Sequence, residues 1–291
     1  MAELADRGAI WGSVLSVNAF AAIRSVGFEP VGQVFGAAVY PLTATAAASC
    51  PGTTPHILVR DATPRVTGVP DAGARIAQAL YDGYRAAIDR MTGECSQLGG
   101  HGVVGAALHV TEAPGDNFTA ATVEFKVIGT AVRAKGWPPL PRPFTTELFG
   151  PDFAKLLMVG WVPAGITLGI SVAGRHDNLV TTSSGPWGTG NAEVPAYTDL
   201  MVYVRQDARS RLEQAVRALG ADGVVVSAMT LHVRSDRCQA HPSGTDHLAE
   251  AVITGTAVAR FAGRRKAAPS PSLAVPSLDL KDAKRAPQAT I

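Results

Sequence analysis

The chain has 291 residues, of which 46% are hydrophobic and 17% charged, which predicts a globular protein of about two domains with packed cores. Residues 264–291 carry six basic and two acidic side chains, a net charge of +4, so the rest of the chain is at −2. A body with that balance lacks the basic surface of a nucleic-acid-binding protein.

The amino terminus reads MAELADRGAIWGSVLSV, with early acidic residues and no basic segment leading into an apolar one, so no secretory signal is predicted. Cys50, Cys95 and Cys238 are scattered without paired spacing, which argues against a disulfide framework. Both observations predict a protein of the reducing cytoplasm.

A short helix is predicted near the start of each half of the chain. Ser16 suits an N-cap and Gly27 a helix end, while in the second half Pro151 suits a first turn and Gly160 the end. Five pairs share an offset of 133 residues: Phe20 and Phe153, Gly27 and Gly160, Pro30 and Pro163, Gly32 and Gly165, Gly36 and Gly169. The chain therefore contains two copies of one unit.

A glycine-interrupted run follows each short helix, VGQVFGAAVY from residue 31 and AGITLGISV from residue 164, and both are typical of strands. Residues 156–174 carry no charge over a length close to that of a membrane span. Their counterpart in the first copy contains Arg24 and Glu29, so a helix end and a buried strand are predicted instead of a membrane helix.

A long amphipathic helix comes next in the first copy, because apolar residues recur there every three or four positions. The stripe consists of Ile76, Leu80, Tyr84, Ala87, Met91, Cys95 and Leu98. At an offset of 121, Cys95 matches Val216, so we interpret the thiol as part of the core and not as a catalytic nucleophile.

Each long helix ends on Leu-Gly, at Leu98-Gly99 and Leu219-Gly220, and two further strands follow in each copy. The predicted fold class is α+β, with two tandem strand-helix-strand-strand domains, each preceded by a short helix.

The glycine-rich PVGQVFGAAV, the helix end LGADGVVV and the last strands VIGTAV and ITGTAV resemble the YbjQ-like domain, whose members are labelled heavy-metal-binding. The resemblance extends from about residue 14 to residue 261. It implies a dodecin-like fold, domains gathered in a ring that is commonly a pentamer, and binding of a soft divalent metal ion.

The predicted domains are residues 1–134 and 147–263. A proline-rich linker at 135–146 is expected to act as a semi-rigid spacer. Residues 264–291, rich in Ala, Pro and Ser, are predicted to be a disordered basic tail, with contact to a polyanion or another partner as the alternative.

One loop of the second copy offers soft-metal ligands, since RSDRCQAHPSGTDH contains Cys238, His241 and His247. Metal binding needs several such ligands to converge, and this spacing matches no established zinc motif. A solvated polar loop is the alternative.

The phrase Leu-His-Val occurs twice and places His109 and His232 on strands that follow the long helices. Such histidines could bind a metal or an anion between the subunits of a ring, or be hydrogen-bonded locally. In the preceding turn, Asp222 stands where the first copy has His101, and it is expected to bond nearby backbone.

The motifs of common enzyme classes, such as G-x-S-x-G, the P-loop and H-E-x-x-H, do not occur in the sequence. The sequence therefore predicts a non-catalytic, oligomer-forming module that binds metal or a small ligand. The alternatives are a structural scaffold without a small ligand and, last, an enzyme that uses Cys238 and His241. A pentamer of two-domain chains, arranged as two stacked rings, is predicted, with the histidine-bearing strand face near the contacts between subunits.

Overall fold

A computed structural model describes residues 12–42, 70–113, 121–138, 140–176, 195–237 and 245–261. The described elements are α1 (Val17–Ser25), β1 (Phe28–Leu42), α2 (Pro70–Gln97), β2 (Gly102–Ala113), β3 (Ala121–Ala134), β4 (Phe144–Thr145), α3 (Gly150–Met158), β5 (Trp161–His176), α4 (Pro195–Ala218), β6 (Gly223–Arg237) and β7 (Thr245–Arg260). The α+β class and the tandem order of elements are thereby confirmed. The predicted tail, 264–291, lies outside the described residues.

The short helices begin and end as their sequences predict. The Ser16 side chain accepts a hydrogen bond from the backbone N–H of Ala19 and caps α1, and α3 has proline in its first turn. Gly27 and Gly160 follow the two helices with φ of 87° and 84°, a conformation that glycine adopts without strain.

The strands form two sheets with the same connectivity, and all pairs except β2 with β4 are antiparallel. Sheet 1 has the order β1-β3-β2, extended by the short β4, and sheet 2 has the order β5-β7-β6. In both sheets the register shifts once on the first strand, next to Pro30 and Pro163, and once on the strand after the long helix, next to Val104 and Val226. The two copies therefore share even their β-bulges.

The helices and sheets alternate in layers. One face of sheet 1 packs on α2, while Leu168, Ile170 and Val252, on the face of sheet 2 away from its own helix, belong to the same core cluster. The opposite face of sheet 2 packs on α4, as in the cluster formed by Val204, Ala251 and Ile253. The order of layers is thus sheet 1, α2, sheet 2, α4.

The predicted linker does not hold the two repeats apart. Its end forms β4, in which Phe144 and Thr145 pair in parallel with Gly102 and Val103 of β2. The spacer interpretation is wrong for these residues, because they form backbone hydrogen bonds with the edge of β2.

Asp222 and His101 perform the same task with different chemistry. The backbone N–H of Arg260 donates to Asp222 Oδ2 at 2.8 Å, and in the first repeat that of Ala134 donates to His101 Nδ1 at 2.8 Å. Asp222 does bond backbone, as predicted, although its partner lies at the end of the last strand. Each side chain fastens this strand end to the turn after the long helix.

Cys95 lies in the core, as predicted. Its side chain is fully buried, its Sγ lies 3.4 Å from the Gly102 carbonyl oxygen, and burial raises the pKa of the thiol to about 11. A thiol in this state is a poor source of thiolate.

We expect Cys95→Ala to lower the free energy of unfolding by at most about 2 kcal/mol, because a buried thiol behaves as a small hydrophobe. Urea denaturation checks the stability. Elemental analysis of the same variant should show unchanged metal content, and loss of bound metal would contradict the core assignment.

Candidate functional site

The junction between the repeats is built from elements of both copies. Val103 and Val104 of β2 are fully buried there, beneath the segment that leads from β4 into α3. Within that segment the N–H of Thr146 donates to the Val103 carbonyl, and the N–H of Gly105 donates to the Leu148 carbonyl. The second repeat thus completes the sheet edge of the first.

The same segment is also tied to its own sheet. The Thr146 hydroxyl lies 3.0 Å from the Thr256 hydroxyl on β7, and in the first repeat the Ser13 hydroxyl lies 3.1 Å from that of Thr130 on β3. Ser13 is the counterpart of Thr146 at the offset of 133. Residues 12–16 are therefore bonded to sheet 1 in the way that residues 145–149 are bonded to sheet 2. In the second repeat, this segment forms the junction.

The first repeat exposes a sheet face that the second repeat buries. Phe35 and Val39 are 43% and 61% exposed on the face of sheet 1 away from α2. Their counterparts in β5 are Leu168, which is 6% exposed, and Val172, which packs against α2 and its core. We call Val14, Val17, Phe35 and Val39 the first-repeat surface.

The second repeat exposes the complementary positions. Val225, the counterpart of the buried Val104, is 38% exposed, and Val202, the counterpart of Tyr81 in α2, is also exposed. Tyr81 accepts a hydrogen bond from the backbone N–H of Ile170 at 2.8 Å and so helps hold α2 against sheet 2. We call Val159, Val202, Val225 and Val226 the second-repeat surface.

A cleft of about 450 Å³ lies at the junction, bounded on one side by β2 and on the other by β6 and β7. Its apolar wall includes Leu108, Val110, Ala228 and Val252. The polar side chains lining it are Tyr84, Glu112, Glu147, Thr230, His232, Arg234, Glu250 and Thr254. Three carboxyl groups and one guanidinium therefore share a partly apolar space.

Arg234 is the centre of an ion-pair network in the cleft. It bonds Glu112 of the first repeat and lies 3.6 Å from Glu250 of its own sheet. Burial raises the pKa of Glu250, while the charge of Arg234 opposes the shift. This network fastens β2 of one repeat to β6 and β7 of the other.

Glu147 lies elsewhere in the cleft and is less well satisfied. The buried Oε2 atom of its carboxyl group has no hydrogen-bond partner among the described residues. Burial raises the pKa of this carboxyl group. A buried carboxyl oxygen in this state costs stability.

We expect Glu147→Gln to raise the free energy of unfolding by about 1 kcal/mol at pH 7, because it removes a buried charge that is incompletely bonded. The pKa of Glu147 is higher in the folded chain than in the unfolded chain, where it is about 4.3, so protonation of Glu147 stabilises the fold. This contribution is complete below the unfolded pKa and is lost as the pH rises through the folded pKa. The gain should therefore shrink in urea titrations at pH 4. A variant less stable than the wild type at pH 7 would contradict this account.

The structure separates the predicted histidines. His232 lines the cleft, whereas His109 is exposed on the outer face of sheet 1. The two histidines do not occupy equivalent positions in the register. His109 pairs with Lys126, whereas His232 pairs with Glu250, the counterpart of Glu124. Two extra residues in β6 displace the repeated phrase by two residue pairs along the strand.

The predicted metal loop lies largely outside the described residues, which include neither Cys238 nor His241. His247 is buried on the face of sheet 2 toward α4, where its Nε2 lies 2.5 Å from the Tyr197 hydroxyl and its Nδ1 2.7 Å from the Ser235 hydroxyl. Both ring nitrogens are thus engaged. Over the parts of the chain that the structure describes, no group of three His, Cys, Asp or Glu is arranged to hold a metal.

The sequence did not point to Glu147, Glu250 or Arg234. A signal was present in β6, where Thr230, His232 and Arg234 alternate with apolar residues and so share one face. None of the helices in the described ranges is both long and apolar enough to cross a membrane.

The chain is similar to a protein of Mycobacterium tuberculosis that is named encapsulin nanocompartment protein. The two sequences are 29% identical over 233 residues, which cover 73% of this chain and 75% of the relative. No protein-family model matches the chain. Membership of the YbjQ-like family therefore stays a prediction.

Proposed function

We propose that this chain is a non-catalytic, self-assembling protein whose copies join head to tail. The proposal rests on the contact between the two repeats. Each side of this contact has a counterpart in the other repeat, and both counterparts are exposed apolar surfaces. The first-repeat surface corresponds to the part of repeat 2 that packs on repeat 1. The second-repeat surface corresponds to the part of repeat 1 that receives it.

Sheet packing supports the match between these two surfaces. In one chain, Leu168 and Ile170 bury the outer face of sheet 2 against α2. In the assembly, Phe35 and Ala37 of one copy would lie against α4 of the next copy. Burial of such exposed apolar side chains is favourable by about 25 cal/mol per Å².

Strand pairing supports the same arrangement. Residues 12–16 correspond to the segment that covers the edge of β2, and the matching edge of β6 carries the exposed Val225 and Val226. An exposed apolar strand edge is a template for another chain. In the assembly, Gly12 of one copy would pair with Val224 of its neighbour.

Charge is complementary as well. Tyr84 of α2 lies close enough to Glu250 for that carboxylate to raise its pKa, although burial is the larger cause. The counterparts are Arg205 on α4 and Glu124 on sheet 1, so the contact between copies would place an arginine beside a glutamate. Opposite charges at an interface favour the correct register.

The name of the relative agrees with an assembled state, and we extend to this chain only the proposal that it works as part of a protein assembly. A head-to-tail contact is heterologous and produces a closed ring when its rotation closes. Because each chain contributes two repeats, such a ring holds an even number of them. The number of five chains and the binding of a soft metal by Cys238, His241 and His247 stay predictions.

Light scattering coupled to gel filtration tests the proposal. The expected result is a single species with the mass of several chains at micromolar concentration. A mass near 30.1 kDa, that of one chain, would reject self-assembly.

A further inference from the structure

We infer that Trp11 anchors one copy of the chain to the next by packing against Trp161 of the neighbouring copy and Phe20 of its own. The inference rests on the head-to-tail assembly proposed above and adds the side chains that hold it together. The structure describes the chain from Gly12 onward, so Trp11 stands directly before the first described residue.

Three aromatic rings meet where the two repeats join. Phe144 of β4 and Phe153 of α3 are stacked, with ring centroids 5.7 Å apart. Phe28, at the start of β1, contacts both rings edge-on, at centroid distances of 6.0 Å and 5.4 Å. Because Phe28 belongs to the first repeat and the other two rings to the second, this cluster forms across the junction. Aromatic pairs in such geometry stabilise a contact beyond the area that they bury.

Each of these rings has an aromatic counterpart at the offset of 133. Trp11 corresponds to Phe144, Phe20 to Phe153, and Trp161 to Phe28. Phe20 and Trp161 are both half-buried in the single chain. In the head-to-tail contact, the first repeat of one copy takes the place that the second repeat has within a chain. Its Trp11 and Phe20 side chains would therefore meet Trp161 of the neighbouring copy.

The apolar surroundings of the rings are matched as well. The buried residues that pack with them in the junction are Ile23, Val104 and Val132. The counterparts in the second repeat are also apolar, namely Leu156, Val225 and Val258. The Trp11 ring would thus enter an apolar environment. Tryptophan side chains in such positions are typical of the few residues that contribute most to the affinity of an interface.

The spacing of the helices explains why tryptophan replaces phenylalanine at two of the three positions. Within the chain, α1 and α3 cross closely, since a Cβ atom at Gly150 would lie 2.4 Å from the Ala19 carbonyl oxygen. The counterpart of Gly150 is Val17, whose side chain would keep the two helices further apart in the contact between copies. The two larger indole rings would fill this wider space, where smaller rings would leave a void and lose dispersion contacts.

Sedimentation velocity of the full chain over a dilution series tests the inference. We expect Trp11→Ala to raise the concentration at which half of the chains are assembled by about tenfold or more, because it removes an aromatic anchor. Trp11→Phe, which introduces the residue found at position 144, should raise it less. Trp137→Ala removes an exposed indole from the loop between the repeats and is the matched control, with an unchanged midpoint.

The double variant of Trp11→Ala and Trp161→Ala shows whether the two indole rings meet. If they contact each other, the combined weakening should be smaller than the product of the two single effects. Circular dichroism checks that each variant is folded. Trp161→Phe, which introduces the residue found at position 28, serves in place of Trp161→Ala if that variant does not fold.

Two outcomes would overturn the inference and leave the assembly in place. One is an equal assembly midpoint for Trp11→Ala and the wild type, and the other is a double variant whose weakening equals the product of the single effects. A wild-type chain that stays monomeric at every concentration would instead reject the proposed assembly, and this contact with it.

Discussion

Val225→Asp should convert the assembled protein into a folded monomer. The side chain is exposed within one chain, so the substitution should change the stability of the monomer by less than about 0.5 kcal/mol. In the assembly, its position corresponds to the buried Val104, where an unpaired carboxylate is costly. Light scattering should give 30.1 kDa, with an unchanged circular dichroism spectrum.

Val39→Asp should have the same effect from the other end of the chain, because it changes the first-repeat surface. Each variant keeps one intact surface, so a mixture of the two should form a dimer of one Val39→Asp chain and one Val225→Asp chain. Trp137→Glu is the matched control, since this exposed side chain lies between the repeats, and it should leave the mass unchanged. A mixture that stays monomeric while the wild type assembles would contradict the head-to-tail contact.

Gly36→Ala is expected to destabilise the first repeat by about 3 kcal/mol, as overpacking of a dense core does. A Cβ atom at this position would lie 1.9 Å from the Ala87 carbonyl oxygen and 2.7 Å from the Met91 nitrogen, both in the backbone of α2. Gly169 repeats the arrangement, 2.0 Å from the Ala208 carbonyl oxygen of α4.

Urea denaturation monitored by circular dichroism measures the effect. Gly165→Ala is the matched control, because a Cβ atom there would meet nothing closer than 3.8 Å. It should stay within about 0.5 kcal/mol of the wild type. Equal stability of Gly36→Ala and Gly165→Ala would show that the helix does not cross the strand so closely.

Local signals in the sequence predicted much of the fold. Ser16 caps a helix, Gly27 and Gly160 end helices, and the stripe from Ile76 to Cys95 is buried, because each signal acts over a few residues. Leu98 is an exception, since the helix ends before it and its side chain is 40% exposed.

The packing of one repeat on the other could not be predicted in this way. The alternation of side chains along β1 and β5 indicates that each strand has two faces. It does not indicate that α2 covers the second face of β5 while the second face of β1 stays exposed. The two residues of β4 are too few for a periodic signal, so Phe144 and Thr145 were placed in a linker. Glu147, the first residue of the predicted second domain, was not placed in a cleft. The register of His232 depended on bulges and on the insertion of Met229 and Thr230.

Directed cross-linking between copies tests the central claim most directly. Gly12 and Val224 are the counterparts of Thr145 and Val103, which pair between β4 and β2, so cysteines at these two positions of neighbouring chains should fall within disulfide distance. Gly12→Cys and Val224→Cys are introduced into separate, mass-tagged chains in which Cys50 and Cys238 are serine, and the two chains are co-expressed. The account predicts a covalent dimer of one chain of each kind under mild oxidation, and none when either chain is expressed alone. Cross-linked dimers of a single kind, or an assembled mixture without cross-links, would contradict it.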